Sequence, residues 1–342
     1  MNKRIGFCCK WLDDPSETAN MKINARNREL NTGSTTVAWL NRQTRAVAEQ
    51  KLYDLSVGNI ETVRKLIERV STLDPALKMM RIGSDILPVY TEASWRYFYQ
   101  DTAFRQELAT RFAAVGDLAR ANNVRLSYHP GQFCVLASDR PDVVERSIEE
   151  FEYHVDMARW MGYGTSWHDH GFKINVHISG RQGPVGIVAA LNRLTPEARN
   201  LITIENDENS WGLDASLELE KHLALVLDIH HHWVKTGEYI SADDDRVKRV
   251  HDSWRGTRPI LHYSVSREDL LTVHSSTTKP EMAVLLQEGY KKQKLRAHSD
   301  FYWNNAVNDW ALSFWDNFDI QCESKSKNLA STKLYEYYCQ TR

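Results

Sequence analysis

No stretch of the chain approaches the run of about 18 apolar residues that a membrane-spanning helix needs, so no such span is expected. The opening Met1-Asn2-Lys3-Arg4 leads into an apolar run too short for a secretory leader. Neither charge dominates. Lys and Arg number 43 against 45 Asp and Glu, a net charge of −2, so a nucleic-acid-binding face must be a local patch. Cysteine is sparse, with five residues and no CxxC pair, which points to reduced thiols in a cytoplasmic protein. No linker rich in Pro, Gly or Ser divides the chain, and no repeat or low-complexity segment interrupts it. A single domain over residues 1–342 is therefore expected, although length alone would suggest two.

What is present is a series of short apolar runs that end in polar side chains. The plainest is Leu201-Ile202-Thr203-Ile204-Glu205-Asn206-Asp207-Glu208. An apolar run of this length reads as a buried strand. A strand buried on both faces should not end in three carboxylates unless something compensates their charge, and a metal ion does so directly. Eight such runs alternate with segments of mostly helical pattern. They begin near Arg4, Met79, Val124, Phe172, Leu201, Leu223, Pro259 and Phe318. Helices are expected over about 36–70, 94–121, 141–161, 185–200, 216–222, 243–254 and 304–316, with a polar insertion at about 265–298 and a helical tail at about 326–342. Strand–helix alternation implies parallel strands, and eight of them close an α/β barrel, the (β/α)8 TIM barrel.

In such a barrel the C-terminal ends of the strands meet at one mouth. Six of the eight runs end in a residue that can ligate a metal: His129, His177, Glu205, Asp228, His262 and Glu323. His231 and His298 lie just beyond strand ends. Each of these alone reads as an ordinary hydrogen-bonded side chain, and the His230-His231-His232 triplet reads equally as a solvated loop. Recurrence at six ends is what favours a metal site. Histidine and carboxylate together suit Zn, Mn or Fe. Eight ligands exceed one coordination sphere, so two or three ions are expected, with Glu205 central enough to bridge two. Closely spaced ions serve phosphate-ester hydrolysis, although a sugar isomerase or epimerase on the same barrel could use similar ligands.

Two further features bear on the partner. His129-Pro130-Gly131-Gln132-Phe133 places an amide and an aromatic ring on a turn at the mouth, suited to wedging into a base stack or simply to packing. Lys291, Lys292, Lys294 and Arg296 form a local basic patch beside His298, suited to phosphates or to a solvated helix end.

Several blocks carry a family resemblance. Tyr128-His129-Pro130-Gly131-Gln132-Phe133, Ile204-Glu205-Asn206-Asp207-Glu208, Asp228 with His231 and His232, and Ala297-His298 resemble the signature blocks of UV-damage endonucleases, in the family's order. Arg81-Ile82-Gly83-Ser84-Asp85-Ile86-Leu87-Pro88 and Glu323-Ser324-Lys325-Ser326-Lys327 are similar too. The resemblance implies a metal-dependent TIM barrel related in fold to endonuclease IV and the xylose-isomerase-like barrels. It implies incision of damaged duplex DNA on the 5′ side of a lesion, leaving a 3′-hydroxyl and a 5′-phosphate.

The resemblance further implies a manganese-type cluster, with zinc, magnesium or cobalt as substitutes. His129, His177 and Glu205 would hold one ion. Glu205, Asp228, His262 and Glu323 would hold a second, and Glu205, Asp228, His262 and Glu323 would form the catalytic set. His231 and His298 would hold a third ion. Gln132 and Phe133 fall where the family probes the lesion with a Gln-Tyr pair. A monomer is expected. Two departures stand out: Phe133 keeps the ring but lacks the hydroxyl, and Ile260 occupies a position where the family can carry a lysine near the metals. Ile260 also leaves room for a third reading, a DNA-binding homologue with weakened cleavage. The segment from Trp11 to Gln43 matches the family poorly.

Overall fold

A computed structural model describes residues 3–13 and 27–342; part of the poorly matching Trp11 to Gln43 segment lies outside them. Eight parallel strands close into a barrel in chain order: β1 (Ile5–Cys9), β2 (Met79–Ile82), β3 (Arg125–Tyr128), β4 (Lys173–His177), β5 (Ile202–Glu205), β6 (Ala224–Asp228), β7 (Ile260–Tyr263) and β8 (Asp319–Cys322). β8 returns to β1 through Ile5 opposite Ile320. The eight strands fall on the eight apolar runs, and the fold is the TIM barrel.

The pleat sorts each strand into two faces. Residues such as Ile174, Val176, Ile202, Ile204, Leu225 and Leu227 point outward and share one large apolar core with the surrounding helices. The alternate residues point into the barrel. Met79, Ala224, Val226 and Ile260 form a separate small apolar cluster there. Above it, toward the strand C-termini, the inward positions turn polar. Gly6 is required by this packing, because a Cβ at that position would stand 2.6 Å from the carbonyl oxygen of Met79.

Several helix limits differ from the sequence expectation for local reasons. The segment over 36–70 divides into Val37–Leu40 and Arg45–Ser71, each started by a threonine cap, Thr36 on the Trp39 amide and Thr44 on the Val47 amide. The segment over 185–200 divides into Gly183–Leu191 and Pro196–Leu201, since the residue before a proline disfavours helix and Thr195 caps the new start. The short helix placed at 216–222 lies earlier, at Leu213–Leu217. The polar insertion contains the helices Met282–Gln287 and Lys292–Leu295. The histidine triplet is no loop. It is buried in the helix Ile229–Thr236, whose N-cap is Asp228.

Candidate metal centre at the C-terminal mouth

The strand ends bring His129, His177, Glu205, Asp228, His262 and Glu323 to one place. Two groups have ligand atoms all within 4.8 Å of one another: His129, His177 and Glu205, and Glu205, Asp228 and His262. Glu205 belongs to both and is fully buried. One of its oxygens lies 3.4 Å from Nε2 of His129 and 3.0 Å from Nδ1 of His262; the other lies 3.3 Å from Nδ1 of His231. Glu323 approaches Nδ1 of His262 to 3.4 Å and is ion-paired with Arg81. His231 and Glu323 thus border these groups. His298 stands further out, its ring 5.9 Å from that of His230.

The hydrogen bonds set which ring nitrogens are bare. Nδ1 of His129 lies 2.8 Å from the carbonyl oxygen of Pro130. It must donate there, which leaves Nε2 with only a lone pair, aimed at a carboxylate of Glu205. Two acceptors face one another across 3.4 Å, an arrangement that a cation between them would reverse from repulsive to favourable. Nδ1 of His231 lies 3.1 Å from the carbonyl oxygen of Asn206 and its Nε2 lies 3.6 Å from Glu208; burial opposes a charged ring there, and Asp228, Glu205 and Glu208 overcome it. Oε1 of Glu205, Oδ2 of Asp228, Nδ1 of His177 and Nδ1 of His262 are buried without an aligned hydrogen bond. Ligand-type atoms left unpaired in a buried cluster fit a divalent metal.

The electrostatics agree. Burial raises the Asp228 carboxyl well above its ordinary range, and the negative charges of Glu205 and Glu323 push it further. Burial also lowers His129 to about 3, keeping its ring neutral and able to ligate. Burial works against ionised Glu205, but His262, His177, His129 and His231 outweigh it and hold the carboxylate well below its usual range. Burial likewise opposes a charged His177, and Glu205 and Asp207 overcome it. An ionised Glu205 beside the neutral ring of His129 supplies the mixed carboxylate and imidazole donors that a cation would complete.

Residues behind the ligands were missed by the sequence reading. Lys173 and Asn175 point inward two positions apart below His177. The Lys173 amine lies 3.1 Å from Nε2 of His262, and burial lowers it to about 7. Asn175 donates to Glu205 and accepts from Thr203. Asn206 holds the backbone of Asp228 through two 2.9 Å hydrogen bonds. The period-two alternation of β4 carried the signal for Lys173 and Asn175, because whatever faces inward with His177 must lie beneath it. Ile260 is fully buried in the apolar layer under the site.

The substrate-side residues divide. Gln132 is exposed, and Phe133 is 85% exposed, at the tip of a turn closed by the Cys134 amide on the Gly131 carbonyl. In the basic segment, Lys291 and Lys294 are exposed. Lys292 donates to the carbonyl of Lys235 at 2.7 Å, and Arg296 donates to Glu208 at 3.0 Å. The last pair fastens the insertion to the rim of the metal site. No helix among the described residues is long and apolar enough to cross a membrane.

Comparisons with known proteins agree with this architecture. The family described as UV-endonuclease UvdE matches residues 5–340. A UV DNA damage endonuclease of Bacillus velezensis is 26% identical over 97% of this chain and 93% of its own length. One of Bacillus mycoides is 25% identical over 84% of this chain and 82% of its own. Among solved structures, SacUVDE superposes with a TM-score of 0.72 at 21% identity, covering 99% of both chains. Endonuclease IV of Thermus thermophilus superposes at 0.54 with 14% identity, covering 82% of this chain and 95% of its own. The barrel, its mouth and a match spanning nearly the whole sequence together make this chain a member of the UV-endonuclease family.

Proposed function

We propose that the chain is a metal-dependent DNA repair endonuclease that hydrolyses the phosphodiester 5′ to UV photoproducts or related lesions, leaving a 3′-hydroxyl and a 5′-phosphate. The observation that carries this reading is the position of Glu205, one buried carboxylate common to two ligand groups. His129, His177 and Glu205 would hold one ion. Glu205, Asp228, His262 and Glu323 would hold a second, and His231 with His298 a third. Manganese suits this mixture of imidazole and carboxylate, with zinc, magnesium and cobalt as alternatives. When bound, such ions would supply positive charge at the phosphate oxygens and lower the pKa of water so that hydroxide is available to attack.

The chain's own residues organise the rest. Asn175 and Thr203 fix the plane of the Glu205 carboxylate, Lys173 fixes the ring of His262, and Arg81 fixes Glu323. Ligands held this way need little reorganisation when substrate arrives. Phe133, projecting from its turn, would enter the base stack beside a lesion, where stacking is already weakened. Gln132 would occupy the polar edge of the gap. Lys291 and Lys294 would meet backbone phosphates, and Lys292 and Arg296 anchor the segment that carries them. Damaged duplex DNA is then the partner, bound by a monomer.

An end-labelled, irradiated duplex incubated with the protein and Mn²⁺ tests the proposal. Incision 5′ to photoproducts is expected, and Glu205→Gln should lower it by about three orders of magnitude or more, in line with loss of a central charged group. A metal-loaded protein that leaves the irradiated duplex intact would refute the assignment.

A further inference from the structure

At the end of the barrel opposite the metal centre, the loops entering β1, β3, β4 and β7 border an open cavity of about 680 Å³. Four arginines line it: Arg4, Arg125, Arg255 and Arg258. Among the described residues, Asp169 lines it and Asp319 and Asp316 adjoin it, Asp316 being ion-paired with Lys3. Asp169 is occupied by the amides of Gly164 and Thr165 and by the Thr165 hydroxyl. Asp319 is fully buried and accepts from the Arg4 amide, Nη1 of Arg125 and Nε of Arg258. One carboxylate therefore serves the guanidinium groups of both Arg125 and Arg258, and Arg255 adds another over the Trp167 ring, 3.6 Å from its centre. Burial pulls Arg125 below its ordinary value, Asp319 opposes this, and repulsion from Arg4 and Arg258 adds to the fall. Positive charge is in excess here, and an anion would relieve it.

Two further observations mark the cavity. Seven non-glycine residues among those described have positive φ, and four of them line it: Asn123, His168, His170 and Arg255. Such conformations persist where surroundings over-determine them, and they gather at ligand sites. His168 is 1% exposed, and its Nδ1 donates to the Phe172 carbonyl at 3.0 Å. Its Nε2 is then an acceptor, buried and without a hydrogen-bond partner. It calls for a donor such as a hydroxyl, while the arginines call for an anion.

We propose that this cavity is a second binding site, distinct from the metal centre, for a phosphate ester bearing free hydroxyls, of the nucleotide 5′-monophosphate class. Arg255, exposed and donating through Nη2 to the Lys221 carbonyl, receives the phosphate, with Arg125 and Arg258 held behind it by Asp319 and backbone carbonyls. His168 accepts from a sugar hydroxyl. The ligand's source is a free nucleotide or the phosphorylated end of a DNA strand.

Calorimetric titration of the full chain in chelator, which keeps the metal mouth empty of ions, tests the proposal. Adenosine 5′-monophosphate, ribose 5-phosphate, adenosine and a 5′-phosphorylated oligonucleotide are the probes. The phosphate esters should saturate the protein, and adenosine should bind at least about tenfold more weakly. Arg255→Asn and His170→Asn keep a residue that tolerates positive φ, so both should fold, retain metal-dependent incision and weaken the phosphate esters by about fivefold or more. Tighter binding of the nucleotide than of the oligonucleotide supports the site with a free nucleotide as its ligand; the reverse order supports it with a DNA end. Failure of every phosphate ester to saturate by about 10 mM, or isotherms unchanged in both variants, overturns the proposal.

Discussion

The amine of Lys173 lies 3.1 Å from Nε2 of His262, inside the barrel and closed to solvent. Lys173 comes from the start of β4 and His262 from β7, three strands away around the barrel. The contact turns the ring so that Nδ1 faces Glu205 and Glu323. The outer hydrogen-bond partner of a ligating histidine commonly carries about a 10–100-fold effect on metal affinity. Lys173→Met keeps the length and removes the polar contact. Metal affinity measured by calorimetry should fall by about that factor, while the circular dichroism spectrum stays unchanged. An unaltered affinity would leave Lys173 as filler.

Phe133 gives a prediction that separates recognition from folding. Its ring is 85% exposed, so removing it costs the folded state almost nothing, within about 0.5 kcal/mol. Phe133→Ala should keep the melting temperature and the affinity for undamaged duplex. Affinity for a lesion-bearing duplex, followed by fluorescence anisotropy, should fall by about tenfold, since one base–aromatic contact is worth about 1–3 kcal/mol. Equal losses on damaged and undamaged DNA would instead make the ring a general contact.

Much of this was legible in the sequence, for a physical reason. Strands buried on both faces are written as continuous apolar runs, so all eight could be located, and polar residues at their ends had to converge once the barrel closed. The placements of His129, His177, Glu205, Asp228 and His262 follow from that rule alone. Contacts across the barrel were not legible. Lys173 sits inside an apolar run, and only the closed barrel shows that His262 is its neighbour. Helix breaks were missed where a single cap or proline decided them, as at Thr44 and Pro196. The histidine triplet gave no sign of burial, because its apolar partners lie on other elements. The cavity at the far end was invisible for the same reason, being assembled from four separate loops.

His154 should make the fold sensitive to acid. It is fully buried, donates from Nδ1 to the Glu150 carbonyl at 2.8 Å, and leaves Nε2 without a hydrogen bond beside the rings of Tyr128 and Tyr153. Burial lowers its pKa to about 4. The unfolded chain takes up the proton near pH 6.5, and the folded chain does not until about 4. The unfolded state therefore binds more protons in between, so stability is complete above about pH 6.5 and declines as pH falls toward 4. At about 1.4 kcal/mol per unit of difference, the loss is roughly 3 kcal/mol. His154→Phe removes the titrating group, and denaturant melts from about pH 7 to about 4.5 should show a flatter decline than the parent.

Asp319 should carry a large stability cost away from the mouth. Its carboxylate is fully buried and accepts from the Arg4 amide at 2.9 Å, Arg125 at 2.8 Å and Arg258 at 2.7 Å. Arg125 is itself buried, so it has no solvent to fall back on. Asp319→Asn preserves shape and removes the charge, taking from buried Arg125 the carboxylate it is paired with. Breaking a buried pair from one side costs about 3–5 kcal/mol, mostly as the penalty of the stranded charge. Urea denaturation should show a loss of that size. Asp319→Asn with Arg125→Met should recover part of it, because the second change removes a stranded cation rather than a paired one. A double variant no more stable than the single would place the cost in lost packing instead. The metal centre lies at the other end of the barrel, so at temperatures where the single variant remains folded its metal affinity should match the parent's.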